Sequence, residues 1–126
     1  MGQSILAKLS ASILLCALIS LTPTAEASQS KYVNQVVDAI YKAEGGSKTK
    51  HPYGILSIKV KGRNEARKAC YEVVNWRYAM WLSSGQKESF IKYLSRSYCP
   101  VGALNDPMGL NQNWVKNVNY FMGVAR

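Results

Sequence analysis

From Ser30 onward the apolar positions recur at three- and four-residue spacing, with Val33, Val36, Val37, Ile40 and Tyr41 on one stripe. This predicts an amphipathic helix over residues 30–44, capped by Ser30 and ended by Gly45. The loop "GGSKTKHP" follows, and its glycines, polar residues and proline block further helix. The pattern then changes. In "YGILSIKVKG" the apolar residues Ile55, Leu56, Ile58 and Val60 are interleaved with lysines, which predicts a short strand or hairpin arm stopped by Gly62. Helical spacing returns after Asn64, a candidate cap: "EARKACYEVVNWRYAMWLSS" offers Ala66, Ala69, Cys70, Val73, Val74, Met80 and Trp81 to a core before Gly85. A third helix, "KESFIKYLSRSY", packs Phe90, Ile91, Leu94 and Tyr98 and must end before Pro100. Beyond the turn-rich "CPVGALNDPMGLNQNW", Asn111 is a candidate cap for a last helix with Trp114, Val118, Phe121 and Met122 on one face. The expected class is a single α+β domain, predominantly helical, with a short strand or hairpin after the first helix.

The first residues follow another logic. Lys8 precedes the apolar run "LSASILLCALISL", and the polar break "TPTAEA" ends in Ala25-Glu26-Ala27, an A-x-A cleavage pattern. Residues 1–27 are expected to be a signal peptide, and residues 28–126 the exported domain, periplasmic or secreted, with no stable membrane anchor after cleavage. Cys16 lies within the leader. Cys70 and Cys99 remain, and in an oxidising compartment an even pair is expected to be bridged. Closing that loop would contribute about 3 to 4 kcal/mol. Two distant cysteines and one histidine do not supply a four-ligand metal site with the usual spacing, so neither a metal nor another cofactor is expected.

Charge narrows the partners. The chain carries a formal net charge of +9, which draws an exported protein to anionic polymers such as cell wall, lipid headgroups or nucleic acid. No run of five like charges appears, so the field is diffuse and not a binding tail. A long basic amphipathic helix and a recognised nucleic-acid motif are both missing. The expected partner is therefore peptidoglycan or another anionic envelope polymer, met by a monomer.

The exported domain has six acids: Asp38, Glu44, Glu65, Glu72, Glu88 and Asp106. Asp38, Glu65, Glu72 and Glu88 lie on helical faces with basic neighbours at helical spacing, where solvated ion pairing accounts for them. Asp106 turns or caps a loop. Glu44 stands apart, because it closes a helix at the end where the macrodipole disfavours an acid. Screened by Tyr41, Tyr53 and Ile55, its carboxyl would have the charged form disfavoured. That is what a general acid for a glycosidic oxygen requires. A surface glutamate that merely ends a helix is the plainer alternative.

A helix ending in Glu44, a glycine-rich loop and then "YGILSI" together resemble the lysozyme-like superfamily. Gly54-Ile55-Leu56-Ser57-Ile58 is similar to the Gly-Leu-Met-Gln-Ile segment of lytic transglycosylases, and Glu44-Gly45 to the start of phage-type lysozymes. More loosely, "YCPVGALNDP" resembles a Tyr-Ala-Pro then Glu-Asn-Asp pattern of phage wall-degrading domains. The resemblance implies a lysozyme-like fold, Glu44 as the catalytic acid, and Gly54, Ile55 and Ser57 along the sugar cleft. The chain departs from transglycosylases in having Gly45 where they carry Ser and Ser57 where they carry Gln.

Other candidates come from the residues alone. Tyr53 and Tyr98, each at a loop edge, are the candidates for stacking on a pyranose ring, whereas Trp76, Trp81 and Trp114 at helical positions are expected in the core. Asn105 and Asn111 are candidate partners for N-acetyl groups, with turn formation and capping as their plainer roles. His51 is read as a loop residue without an identified acid or nucleophile partner. A two-carboxylate glycosidase needs a second acid roughly 5 to 9.5 Å from the first, and Asp106 is the best on offer. Poverty in acids favours the single-acid mechanism that the resemblance implies. The expected function is cleavage of peptidoglycan glycan strands with Glu44 as acid and then base. Its alternative is a non-catalytic peptidoglycan-binding or structural envelope module on the same scaffold.

Overall fold

In the computed structural model, which describes residues 23–55 and 59–124, helix α1 is Pro23–Ala43, with Glu26 in its first turn and Lys42 in its last. Both charges suit the helix dipole. The helix therefore starts before the Ser30 cap expected from the pattern, and Ser30 lies inside it, its carbonyl accepting from Asn34 Nδ2 at 2.9 Å. Nothing in Thr24–Ala27 opposes helix, so the segment read as a polar break is continuous with it. The rest of the expected signal peptide, residues 1–22, lies outside the described residues.

Helix α2 is Gly62–Ser83, α3 is Phe90–Tyr98 and α4 is Trp114–Met122, with short 3-10 turns at Gly46–Lys48 and Leu110–Asn113. Asn64 is not the α2 cap. Lys61 precedes the helix, and its backbone N–H donates to Glu65 Oε2 at 2.6 Å, so an acid in the first turn satisfies one of the orphan donors there. Ser89 caps α3 by accepting from the Lys92 N–H at 3.4 Å.

α1 packs against α2 and α4, and α3 packs against the same two. Val33, Val36, Val37 and Ile40 of α1 are wholly buried where they meet Cys70 and Val74, Leu94, and Trp114 with Val118. Each such aliphatic side chain contributes roughly 1.5 to 3 kcal/mol by leaving water. An aromatic cluster closes the far end: Tyr78 meets Tyr32 at 5.3 Å and the edge of Phe90 at 5.0 Å. Trp81 belongs to it and donates its indole N–H to the Glu88 carbonyl. Trp76 does not join the core. It is 58% exposed, as Met80 and Phe121 are also exposed, because the buried stripe of α2 follows Ala66, Cys70 and Val74 and leaves Trp76 on the opposite side.

The protein is predominantly helical, and among the described residues the short strand is not seen. Residues 51–55 form a turn and coil, 59–61 are coil, and Leu56, Ser57 and Ile58 lie outside the described residues. Alternation alone does not make a strand. A strand needs a neighbour to take its backbone hydrogen bonds, and no other segment of this chain is patterned to supply one.

Candidate active site

Helix α1 stops abruptly at the residue of interest. The Glu44 N–H still donates to the Ile40 carbonyl at 2.9 Å, and Gly45 then turns the chain with φ at 92°. That left-handed conformation favours glycine. A Cβ on Gly45 would also lie 2.8 Å from Thr49 Cγ2. The loop folds back through a turn in which the Gly54 N–H donates to the His51 carbonyl at 2.8 Å. This turn lays Gly54 directly against the Glu44 carboxyl group: a Cβ there would sit 2.9 Å from its Cδ. Gly54 is thus needed for room beside the acid, where the sequence suggested room for a ligand.

From the opposite side, Trp114 at the start of α4 donates its indole N–H to Glu44 Oε1 at 2.8 Å. Trp114 is itself buried and lies against Tyr98, with ring centroids 5.5 Å apart and an interplanar angle of 28°. The Tyr98 hydroxyl donates to the Tyr53 carbonyl and lies 3.3 Å from Cys70 Sγ. One rigid aromatic chain therefore connects α3 and α4 to the acid. Its key member, Trp114, was read only as a core residue. The clue available in the sequence was chemical: a buried indole must find an acceptor, and Glu44 was the acid without a partner.

Every fully buried side-chain polar atom among the described residues is hydrogen-bonded. Oε1 of Glu44 has its donor, whereas Oε2 has none among them, and Glu44 lines a cleft. Burial raises the Glu44 pKa above the usual carboxylate range, and the Trp114 hydrogen bond, which favours the charged form, opposes this only in part. The acid is held by a neutral donor. Asp38, Glu72 and Glu88 instead meet Arg67, Lys68 and Arg96.

The cleft has a volume of about 270 Å³ and is walled by Glu44, Gly54, Tyr98, Asn105 and Asn111, together with Thr49, His51, Cys99 and Pro100. Five of the proposed site residues thus come together around one space. Tyr53 does not join them as a stacking surface, because its ring is only 3% exposed and packs on Tyr41 at 5.2 Å. Ile55 packs against the core beside the site, and Ser57 lies outside the described residues. Asn111 reaches the cleft without capping a helix: its side chain donates to the Pro100 carbonyl at 2.9 Å. His51, read as a plain loop residue, stands on the wall.

Asp106 has the capping role instead. It is 6% exposed, and its carboxylate accepts from the backbone N–H groups of Leu110 at 2.6 Å, Asn111 at 3.1 Å and Gly102 at 3.4 Å. Both its oxygens are occupied. Glu44 is accordingly the one acid lining the cleft among the described residues.

Cys70 and Cys99 are free thiols in the structure. Burial pushes Cys70 up to about 11, and burial followed by the Glu44 and Asp106 charges pushes Cys99 up to about 12. Neither is a thiolate at neutral pH, so neither is an activated nucleophile. Among the described residues no group of acids, histidines and cysteines is arranged to hold a metal ion, and no helix is long and apolar enough to cross a membrane. Comparison with protein-family models, curated proteins and solved structures gives no match.

Proposed function

We propose that the protein is an exported enzyme that cleaves peptidoglycan glycan strands, with Glu44 acting first as general acid and then as base. One observation carries this reading: a half-buried carboxyl of raised pKa faces a small polar cleft, fixed through one oxygen by Trp114 and accompanied by no second available acid. In the first step Glu44 gives its proton to the glycosidic oxygen as the C1–O bond breaks, assisted by the sugar's acetamido group. In the second, the carboxylate takes the proton of the sugar's own 6-hydroxyl as that oxygen bonds to C1, which closes an anhydro ring. An intramolecular nucleophile needs positioning more than additional protein groups. The burial of Asp106 and its three backbone hydrogen bonds support this route over a two-carboxylate hydrolysis, which requires a second accessible acid. The lysozyme-like character of the fold belongs to the same proposal.

Digestion of purified glycan strands, with mass spectrometry of the fragments, tests it. Anhydro-ended products that vanish in Glu44→Gln are expected. Ordinary reducing ends would move the reaction to hydrolysis, and no product from any glycan, with binding retained, would leave the non-catalytic wall-binding module.

Export carries a second expectation, that Cys70 and Cys99 become bonded in an oxidising compartment. Alkylation of the folded, secreted protein should then label neither residue. A doubly labelled monomer would remove the bond from the proposal.

A further inference from the structure

On the other side of the loop that follows Glu44 lies a second cleft of about 290 Å³. Its walls include Tyr41, Ser47, Thr49, Lys50 and Arg63, and no acid is among the residues that line it. Thr49 also lines the first cleft, so the two spaces meet at that residue. Their chemistry is opposite: one holds the acid, the other two cations.

Arg63 is positioned for recognition. Its guanidinium carbon lies 4.6 Å from the centroid of the Tyr41 ring, a cation–π contact that orients the group, and Arg63 also hydrogen-bonds the Tyr53 side chain, which leaves its remaining N–H groups to other partners. Tyr41 is held in turn by Gly46, where a Cβ would come within 3.2 Å of the ring. Among the described residues neither Arg63 nor Lys50 pairs with a carboxylate, since the ion pairs there involve Arg67, Lys68 and Arg96. Two unneutralised cations and two hydroxyl groups in one concavity form a site for a planar anion, which an oriented guanidinium binds through two parallel hydrogen bonds.

We propose that this second cleft binds a carboxylate-bearing substituent of the substrate chain, so that a polymer passing over Thr49 presents a glycosidic oxygen to Glu44 and an acidic group to Arg63 and Lys50. The proposal rests on the reading of the first cleft as a glycan site. It makes the protein selective for glycan units that carry an acid beside the bond to be cut.

Isothermal titration of the full chain carrying Glu44→Gln, which removes turnover, tests it. The probes are a glycan disaccharide bearing an acidic dipeptide with free carboxylates and the same molecule with those carboxylates converted to methyl amides. The free acid should bind about tenfold more tightly, as a charge-assisted pair implies. Adding Arg63→Gln or Lys50→Gln should shrink that preference, and Arg63→Lys should restore only part of it. Lys50 is exposed in the loop, so its replacement keeps the test open even if Arg63→Gln unfolds. Lys116, exposed on α4, is the control for general charge, and Lys116→Gln should leave the preference intact. Equal binding of the two probes, or an equal loss of preference in all three glutamine variants, would overturn the proposal. A preference that depends on Arg63 in a protein that cleaves nothing would uphold this site while removing the catalytic one.

Discussion

Two carboxylates, one lining the cleft and one in the loop behind its wall, are treated in opposite ways. In the loop between α3 and α4, Asp106 is buried with three backbone N–H groups on its oxygens, at least one on each. At the end of α1, Glu44 has one indole donor on Oε1 and, among the described residues, no donor on its second oxygen. A buried carboxylate held by three backbone amides is a structural tie that orders its loop. One that is desolvated but sparsely bonded keeps its proton longer. Here burial and bonding, more than distance along the chain, divide the architectural acid from the chemical one.

Exchanging each acid for an inert neighbour should separate these roles most sharply. Glu44→Gln retains the shape and the acceptor for Trp114, and turnover should fall by about 10² to 10⁴ with thermal stability unchanged or slightly improved. Equal activity in wild type and variant, measured as glycan fragments released, would remove the distinction.

Asp106→Ala should behave in the converse manner. Losing the hydrogen bonds of a buried carboxylate is expected to cost about 2 to 4 kcal/mol, which lowers the melting temperature by roughly 10 °C or more in a domain of this size. Calorimetry reads it directly. A variant as stable as wild type would show that the loop does not depend on this tie.

A smaller effect should follow from Trp114→Phe, which keeps an aromatic ring against Tyr98 but deletes the donor to Glu44. That donor favours the charged carboxylate, so its removal should raise the Glu44 pKa further and move the alkaline limb of the activity profile to higher pH. A limb that moves downward, or stays in place while the variant remains folded, would exclude the indole from tuning the acid.

The smallest effect concerns stability and pH. Because burial raises the Glu44 pKa in the folded state, the carboxyl is tolerated below its ordinary unfolded range and penalised once ionised. Stability present at acid pH is therefore lost as pH rises through the folded pKa. Wild type and Glu44→Gln should show similar denaturation midpoints at the acid end, and the variant should become the more stable one above neutrality. A difference between them that is independent of pH, or of opposite sign, would contradict the burial assigned to this acid.

Periodicity alone sufficed for the helices. The stripe of Val33, Val36, Val37 and Ile40, the Phe90-Ile91-Leu94 face and the Trp114-Val118 pair are all buried as their spacing required, since a helix that hides one face must place apolar residues at that interval. Chemistry on a single residue was legible too. Glu44 stood out because its position opposes the helix dipole and no basic side chain stands beside it to explain it. Alternation was less informative: among the described residues of that segment no strand is seen, since alternation specifies a face without specifying a partner. Trp76 and Met80 were misplaced for a related reason: their residue types suit a core, but the two neighbouring helices, α1 and α3, cover only one side of α2.

What remained for the tertiary structure was everything set by proximity between distant parts of the chain. It brought Trp114 to Glu44 across 70 positions, put Gly54 against the carboxyl group, turned Tyr53 inward and carried Asn105 and Asn111 to the cleft wall. It also gave Asp106 its backbone donors. Local sequence determines which faces are apolar and which residues carry chemistry, because those follow from side-chain type and helical period. The desolvation and hydrogen bonding that give an acid its proton affinity arise only from packing, and the sequence carries no direct record of which surfaces will meet.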